Sequence, residues 1–221
     1  MTMQMAFQAP RAPVLRGLAA AGLLIWVIAW PRPYSLCLIA CAAAPVLAVI
    51  LAWRGRGQAR APGLGALFFV PCVAVAYLAF DVRLVHGADP LIAGAVLGAA
   101  FAASAIATAP RRYADLAVIV IIIAAALSWG IGVLALANTA LDKSAALTLA
   151  RPITGLVTGG YSRKTYAVTI APTPDDDIPA AYDIDRDFYR SLQGQPRLCI
   201  HLRPGALGWR TYSLSRCDLG A

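Results

Sequence analysis

Five stretches of this chain are almost free of ionisable side chains: Leu15–Trp30, Tyr34–Trp53, Leu64–Phe80, Leu91–Ala109 and Leu116–Asn138. Arg16, at the mouth of the first, is the one exception. Each stretch is long enough, or nearly so, to cross a hydrocarbon core of roughly 30 Å at about 1.5 Å of helix per residue. In lipid every backbone polar group needs an internal partner, so such stretches are read as helices. The expected architecture is a tail over residues 1–14, an α-helical membrane bundle of about five transmembrane helices over 15–138, and a small mainly-β domain over 139–221.

Composition agrees. Apolar residues make up 60% of the chain and charged residues only 14%, against about half and a quarter in soluble domains. All acidic residues are Asp, and Arg outnumbers Lys 17 to 2, a bias that fits a G+C-rich bacterial genome. The net charge of +8 does not mark a nucleic-acid surface. Residues 1–138 carry nine Lys/Arg against three Asp and the remainder ten against eight, with no basic stripe interleaved with aromatics.

The basic residues instead report topology. Arg11, Arg16, Arg54, Arg56, Arg60, Arg111 and Arg112 fall on one set of alternating connections, whereas the other set holds only Arg32 and Arg83. The positive-inside bias puts the richer side in the cytoplasm. An inner-membrane protein is expected, with its N-terminus inside and its C-terminal domain extracytoplasmic. Trp26, Trp30, Trp53 and Trp129 include several at span ends, where indole rings favour the headgroups. Pro31 and Pro33 end the first span, and Pro71 is expected to kink the third. Arg11 and Arg16 before Gly17–Ala29 also fit a signal peptide, with Val27-Ile28-Ala29 as a poor cleavage site; cleavage would leave four spans.

Inside the bundle, Gly94 and Gly98 form a small-xxx-small pair, and Ala95, Ala99 and Ala103 repeat the spacing. This permits close helix approach within the chain or in a homo-oligomer. Cys37, Cys41 and Cys72 are expected to behave as small hydrophobes. Coupled pumps and carriers place ionisable groups at membrane depth, and these spans hold none beyond Arg16. A transporter or channel subunit would have to use Ser104, Thr108, Ser128 and Asn138.

After Asn138–Ser144 the periodicity changes to two. Tyr166, Val168 and Ile170 share one face of Thr165–Ile170; Leu198, Ile200 and Leu202 alternate with Cys199, His201 and Arg203; Tyr212 and Leu214 face inward along Trp209–Arg216. Pro204–Gly208 is a hairpin turn. An earlier strand is expected over Ile153–Val157, and a short helix over Asp185–Leu192, capped by Asp183 or Asp185 and stopped by Gly194. The order β-β-α-β-β predicts a small barrel-like domain. Cys199 and Cys217 lie in phase on its non-core face, which allows a disulfide in an oxidising compartment, although Cys217 overshoots its expected hairpin partner by several residues.

Asp183-x-Asp185-x-Asp187 opens like a calcium loop, but Phe188 and Gly194 occupy positions where that loop needs glycine and a bidentate acid. No metal or cofactor is expected. The remaining polar cluster is Asp81, His86 and Asp89 in the third connection with His201, the best metal or acid/base constellation on offer. No nucleophile motif supports catalysis. Ser162-Arg163-Lys164 and Arg203–Arg210 are basic enough to meet anionic lipid or polysaccharide.

The segment Cys199-x-His201-x-Arg203-Pro204-Gly205-Ala206-Leu207-Gly208-Trp209-x-x-Tyr212 to Cys217 resembles a recurring ending of small bacterial inner-membrane proteins of unknown function. The same resemblance extends to Asn138-x-x-x-Leu141-Asp142-x-Ser144 and to Ser162–Tyr166. It implies the architecture and no catalytic residue. The expectation is a non-enzymatic structural or interaction module: its partners are the lipid bilayer and an envelope protein, without nucleic acid. A membrane-bound enzyme using His86 and His201 is the remaining alternative.

Overall fold

The computed structural model describes residues 15, 18–23, 25–26, 34–54, 64–80, 82–85, 88–108, 115–160, 164–172 and 178–217. The chain divides into two compact units: one of residues up to Val82 together with Ala88–Ala137, the other of Arg83–Gly87 with Asn138–Ala221.

The first unit is helical. Residues 18–23 are helical in the first apolar stretch, followed by α1 (Tyr34–Arg54), α2 (Leu64–Ala79), α3 (Ala88–Thr108) and α4 (Leu116–Ala140). Three described helices, over Leu36–Arg54, Pro90–Thr108 and Leu116–Ala140, are long and apolar enough to cross a membrane. The expectation of five membrane-length helices is corrected accordingly. At 16 residues α2 reaches only about 24 Å, because its apolar run ends at Phe80, which is already in a turn. The first stretch is described only in part. With the short helix of the second unit, expected over Asp185–Leu192, the described residues carry six helical segments.

Small and aromatic side chains fill the bundle. Cys37, Cys41 and Cys72 are fully buried in its apolar core. Phe68 stacks on Phe101 at 5.4 Å between ring centroids, and Phe101 meets Trp129 at 4.5 Å. Trp129 therefore lies inside the bundle, midway along α4 and facing aromatic partners. Trp53, at the end of α1, is exposed. Pro71 is inside α2 as expected, and Pro45 is tolerated inside α1.

Gly94 and Gly98 bring α3 against α4 within the chain. A Cβ on Gly98 would stand 2.6 Å from the Ala126 carbonyl and from the Leu127 Cα, and one on Gly94 would run into the backbone of Ile131. From the other side, a Cβ on Gly130 would meet the Gly94 carbonyl and, at 2.6 Å, the Gly98 nitrogen. In lipid, helix association depends on such close packing, since apolar tails compete equally well for apolar side chains.

The second unit is a curled antiparallel sheet in the order β3-β2-β1-β4-β5. Its elements are β1 (Leu147–Gly159), β2 (Thr165–Ile170), β3 (Ala181–Ile184), α5 (Arg186–Ser191), β4 (Arg197–Arg203) and β5 (Thr211–Arg216). The expected β-β-α-β-β order is corrected to β-β-β-α-β-β. The missed strand, β3, has only four residues, and its Asp183 pairs with Ala167 on the open face; in sequence this reads as an acidic loop. The first strand is also much longer than Ile153–Val157. Its first half pairs with β4 and its second half with β2, with a register shift between Ile153 and Gly155. Pro152, which has no N–H to give, sits beside this change of partner, where a strand tolerates proline. One bent strand thus serves both halves of the half-barrel.

The alternation in β2 and β4 was read correctly: Val168, Ile170, Leu198, Ile200 and Leu202 form the core with Tyr182, Ile184 and Leu192. Asp185 caps α5 by accepting from the Phe188 N–H at 2.7 Å, and Gly194 takes a positive φ after it. Cys199 and Cys217 are bonded. Since Cys199 pairs with Ser215, Cys217 lies two positions further on the same face, a diagonal neighbour.

Tyr182 is 2% exposed, and its hydroxyl has no hydrogen-bond partner among the described residues. Burial pushes its ionisation up to about 12, whereas an unfolded tyrosine ionises near 10. Between these pH values the unfolded chain has released the proton and the folded chain retains it. Stability is therefore complete below about pH 10 and falls as the pH rises toward 12, by roughly 3 kcal/mol over the two-unit gap. Tyr182→Phe is expected to gain about 1 kcal/mol at neutral pH, since it removes an unsatisfied buried hydroxyl, and to make the alkaline decline shallower. Thermal unfolding of the detergent-solubilised chain across this range measures both; a loss of stability at neutral pH in Tyr182→Phe would show that the hydroxyl has a partner.

Candidate functional site

The densest long-range polar construction among the described residues joins two sequence segments about seventy positions apart. Asn138, in the last turn of α4, is fully buried. Its Nδ2 donates to the Trp209 carbonyl at 2.7 Å, and its Oδ1 accepts from the Leu207 N–H at 2.9 Å. Its backbone carbonyl accepts from the Ala206 N–H at 2.9 Å. Four residues on, Asp142 accepts from the Gly205 N–H at 3.1 Å through Oδ2; its Oδ1 takes the Ser144 N–H at 2.9 Å and the Ser144 hydroxyl at 2.6 Å. These ties lie wholly within the second unit.

The local chemistry explains the residue types. A helix end leaves carbonyls unsatisfied, and the β4–β5 turn leaves N–H groups unsatisfied; each supplies what the other lacks. Asparagine's amide offers a donor and an acceptor at once, on a short side chain. Gly205 has φ +74°, and a Cβ there would collide with Asn138 Nδ2 and the Trp209 carbonyl, so only glycine fits. The Ser144 hydroxyl, followed by the N–H groups of Ser144 and Gly205 and the charge of Arg203, holds the Asp142 carboxyl below the usual carboxylate range. The sequence reading treated Asn138–Ser144 as a linker and the turn as a separate feature. A polar amide at the very end of an apolar helix, with glycine-rich turns downstream, is the signal for such a clamp.

The third connection adds a rung to the same unit. Leu84 bridges Thr211, the Val85 N–H donates to the Arg210 carbonyl at 2.9 Å, and the Tyr212 N–H donates to the Arg83 carbonyl at 3.0 Å. Val85 packs against the β core.

His201 stands on the open face of β4 with both ring nitrogens engaged. Thr148 Oγ1 is 2.8 Å from Nδ1 and Ser215 Oγ is 2.7 Å from Nε2. The Ser215 hydroxyl is also 3.2 Å from the Arg216 carbonyl, and the direction of the two imidazole bonds follows the tautomer. The array is a cross-strand tie. Asp81 and His86, the residues expected to join His201, lie outside the described residues, as does the side chain of Asp89. Within the Asp183–Asp187 run, Asp183 is in β3, Asp185 caps α5, and Asp187 faces Arg190 at 3.8 Å. No three metal-ligating side chains converge among the described residues.

The polar groups a transport path would use are dispersed. The Ser104 hydroxyl donates to the Ala100 carbonyl and that of Thr108 to the Ser104 and Ala105 carbonyls, each within its own helix. Ser128 is exposed on α4, and Asn138 is committed to the clamp.

No family model, curated protein or solved structure matches this chain.

Proposed function

We propose that this chain is a multi-pass bacterial inner-membrane protein whose helices anchor a half-barrel on the extracytoplasmic side, where it serves as a non-enzymatic structural or interaction module for an envelope partner. One observation carries the placement. Residues 83–85 of the third connection hydrogen-bond to Arg210 and Tyr212 at the start of β5, and two chain segments joined in this way must lie on the same side of a membrane. The third connection holds a single arginine, Arg83, whereas the connections on either side hold Arg54, Arg56 and Arg60 or Arg111 and Arg112. The positive-inside bias therefore leaves the sheet outside. A hairpin of two crossings, α3 and α4, between residues 87 and 141 supports the same parity. The Cys199–Cys217 bond fits an oxidising compartment, and the resemblance to small bacterial inner-membrane proteins points the same way.

Cysteine labelling tests the placement. With a membrane-impermeant reagent on intact cells, Thr173→Cys is expected to react and Gly57→Cys to stay silent. The reverse pattern would overturn the compartment and the display role with it.

A further inference from the structure

The clamp also ties the β4–β5 turn to the last turn of α4. Asn138 lies two residues before the end of α4, whose residues Leu116–Ala140 include no charged side chain. The backbone of residues 206, 207 and 209 is hydrogen-bonded to Asn138. The turn is therefore within one side chain's length of the point where an apolar helix of membrane length stops. Around that point Leu141 is 65% exposed and Leu207, at the hairpin tip, 45% exposed. Trp209 is half-buried, and Lys143, Arg203 and Arg210 are exposed. Asp142, the acid among them, is turned onto Gly205 and Ser144. Exposed leucines, an indole and cations at the mouth of a spanning helix are the composition of a headgroup layer: apolar tips reach the acyl boundary while cations meet phosphates.

We propose that the Pro204–Arg210 turn docks into the leaflet in which α4 ends, with Leu141 and Leu207 at the acyl boundary and Lys143, Arg203 and Arg210 on the phosphates of anionic phospholipids. The site rests on the membrane placement proposed above. It assigns the clamp a purpose beyond holding the hairpin: it sets the depth of a lipid contact.

The test uses the full chain in nanodiscs of phosphatidylcholine, with and without phosphatidylglycerol, after replacing Cys37, Cys41 and Cys72 by alanine. Spin labels are placed by Leu207→Cys, Ser213→Cys and Val120→Cys. Their collisions with oxygen, which partitions into lipid, are compared with those with a water-soluble nickel chelate. The label at 120 is expected to be oxygen-accessible, that at 213 nickel-accessible, and that at 207 severalfold less nickel-accessible than that at 213. Phosphatidylglycerol is expected to deepen 207, and Arg203→Gln with Arg210→Gln to erase that response. Nickel access at 207 equal to that at 213, with 120 still protected, overturns the docking alone. Nickel access at 120 as well overturns the membrane placement. Protection at 207 that ignores phosphatidylglycerol overturns the anionic recognition.

Discussion

Replacing Asn138 by alanine is expected to lower the stability of the β-domain by roughly 2–4 kcal/mol, because the Leu207 N–H and the Trp209 carbonyl both lose the fully buried Asn138 amide as partner and each unsatisfied group costs about 1–3 kcal/mol. The measurement is thermal unfolding of the detergent-solubilised chain, with protease sensitivity of the tail as a second readout. Asn138→Asp separates hydrogen bonding from volume. It keeps an acceptor for the Leu207 N–H but, when ionised, sets a carboxylate oxygen against the Trp209 carbonyl, now 2.7 Å from Nδ2. That variant is expected to recover as the pH falls, since its protonated form can donate again. A loss of less than about 0.5 kcal/mol in Asn138→Ala would mean that the two backbone groups find water, and the clamp would no longer account for the hairpin.

The wild-type clamp has its own pH dependence. Asp142 is held below the ordinary carboxylate range in the folded chain, so the folded state gains from its ionisation. That contribution is complete above the unfolded value of about 3.9 and is lost as the pH falls through the lowered folded value. Below about pH 4 the hairpin is therefore expected to loosen in the wild type, and this part of the acid response should vanish in Asp142→Asn.

What was legible in the sequence follows from the range of the interactions. Thr165–Ile170 and Arg197–Arg203 were readable because one face of each strand meets a core, which imposes a period of two. Asp185 was readable because a cap acts three residues away. Strand β3 was not: four residues with an aspartate on the open face contain too little pattern to separate from a loop. The first half of β1 was hidden by Arg151 and Pro152, which interrupt its alternation where the strand changes partner. Leu84 forms a single bridge, so no periodicity could announce it. The clamp was hardest, since Asn138 and Trp209 are 71 positions apart and an amide at a span end reads equally well as a cavity lining. Its two halves were nonetheless both conspicuous, one as an Asn/Asp/Ser run after a helix and the other as a glycine-punctuated turn.

The same distinction between a visible motif and its invisible partner governs the bundle, where the expected effect is largest at Gly130 rather than at the small-xxx-small pair itself. Gly94 and Gly98 signal a close approach, but the surface they approach is backbone on both sides: a Cβ on Gly130 would meet the Gly94 carbonyl, the Gly98 nitrogen at 2.6 Å and the Gly98 Cα at 2.9 Å. No side chain can rotate away to make room, so α3 and α4 must separate. Overpacking in a core costs about 1–3 kcal/mol when neighbours can adjust. Gly130→Leu is expected to exceed that range, to about 4 kcal/mol, and Gly130→Ala to fall near 2 kcal/mol. Separation also carries Phe101 away from Trp129, which share this helix pair, so the near-ultraviolet signal of the indole should change together with the unfolding midpoint. Gly65 supplies the control, because a Cβ there would meet nothing within 4 Å among the described residues. Gly65→Ala is expected to be neutral or to stabilise α2 by up to about 1 kcal/mol through helix propensity. If Gly130→Leu behaved like Gly65→Ala, the two helices would not be in backbone contact, and the glycines of α3 would have to serve a second copy of the chain instead.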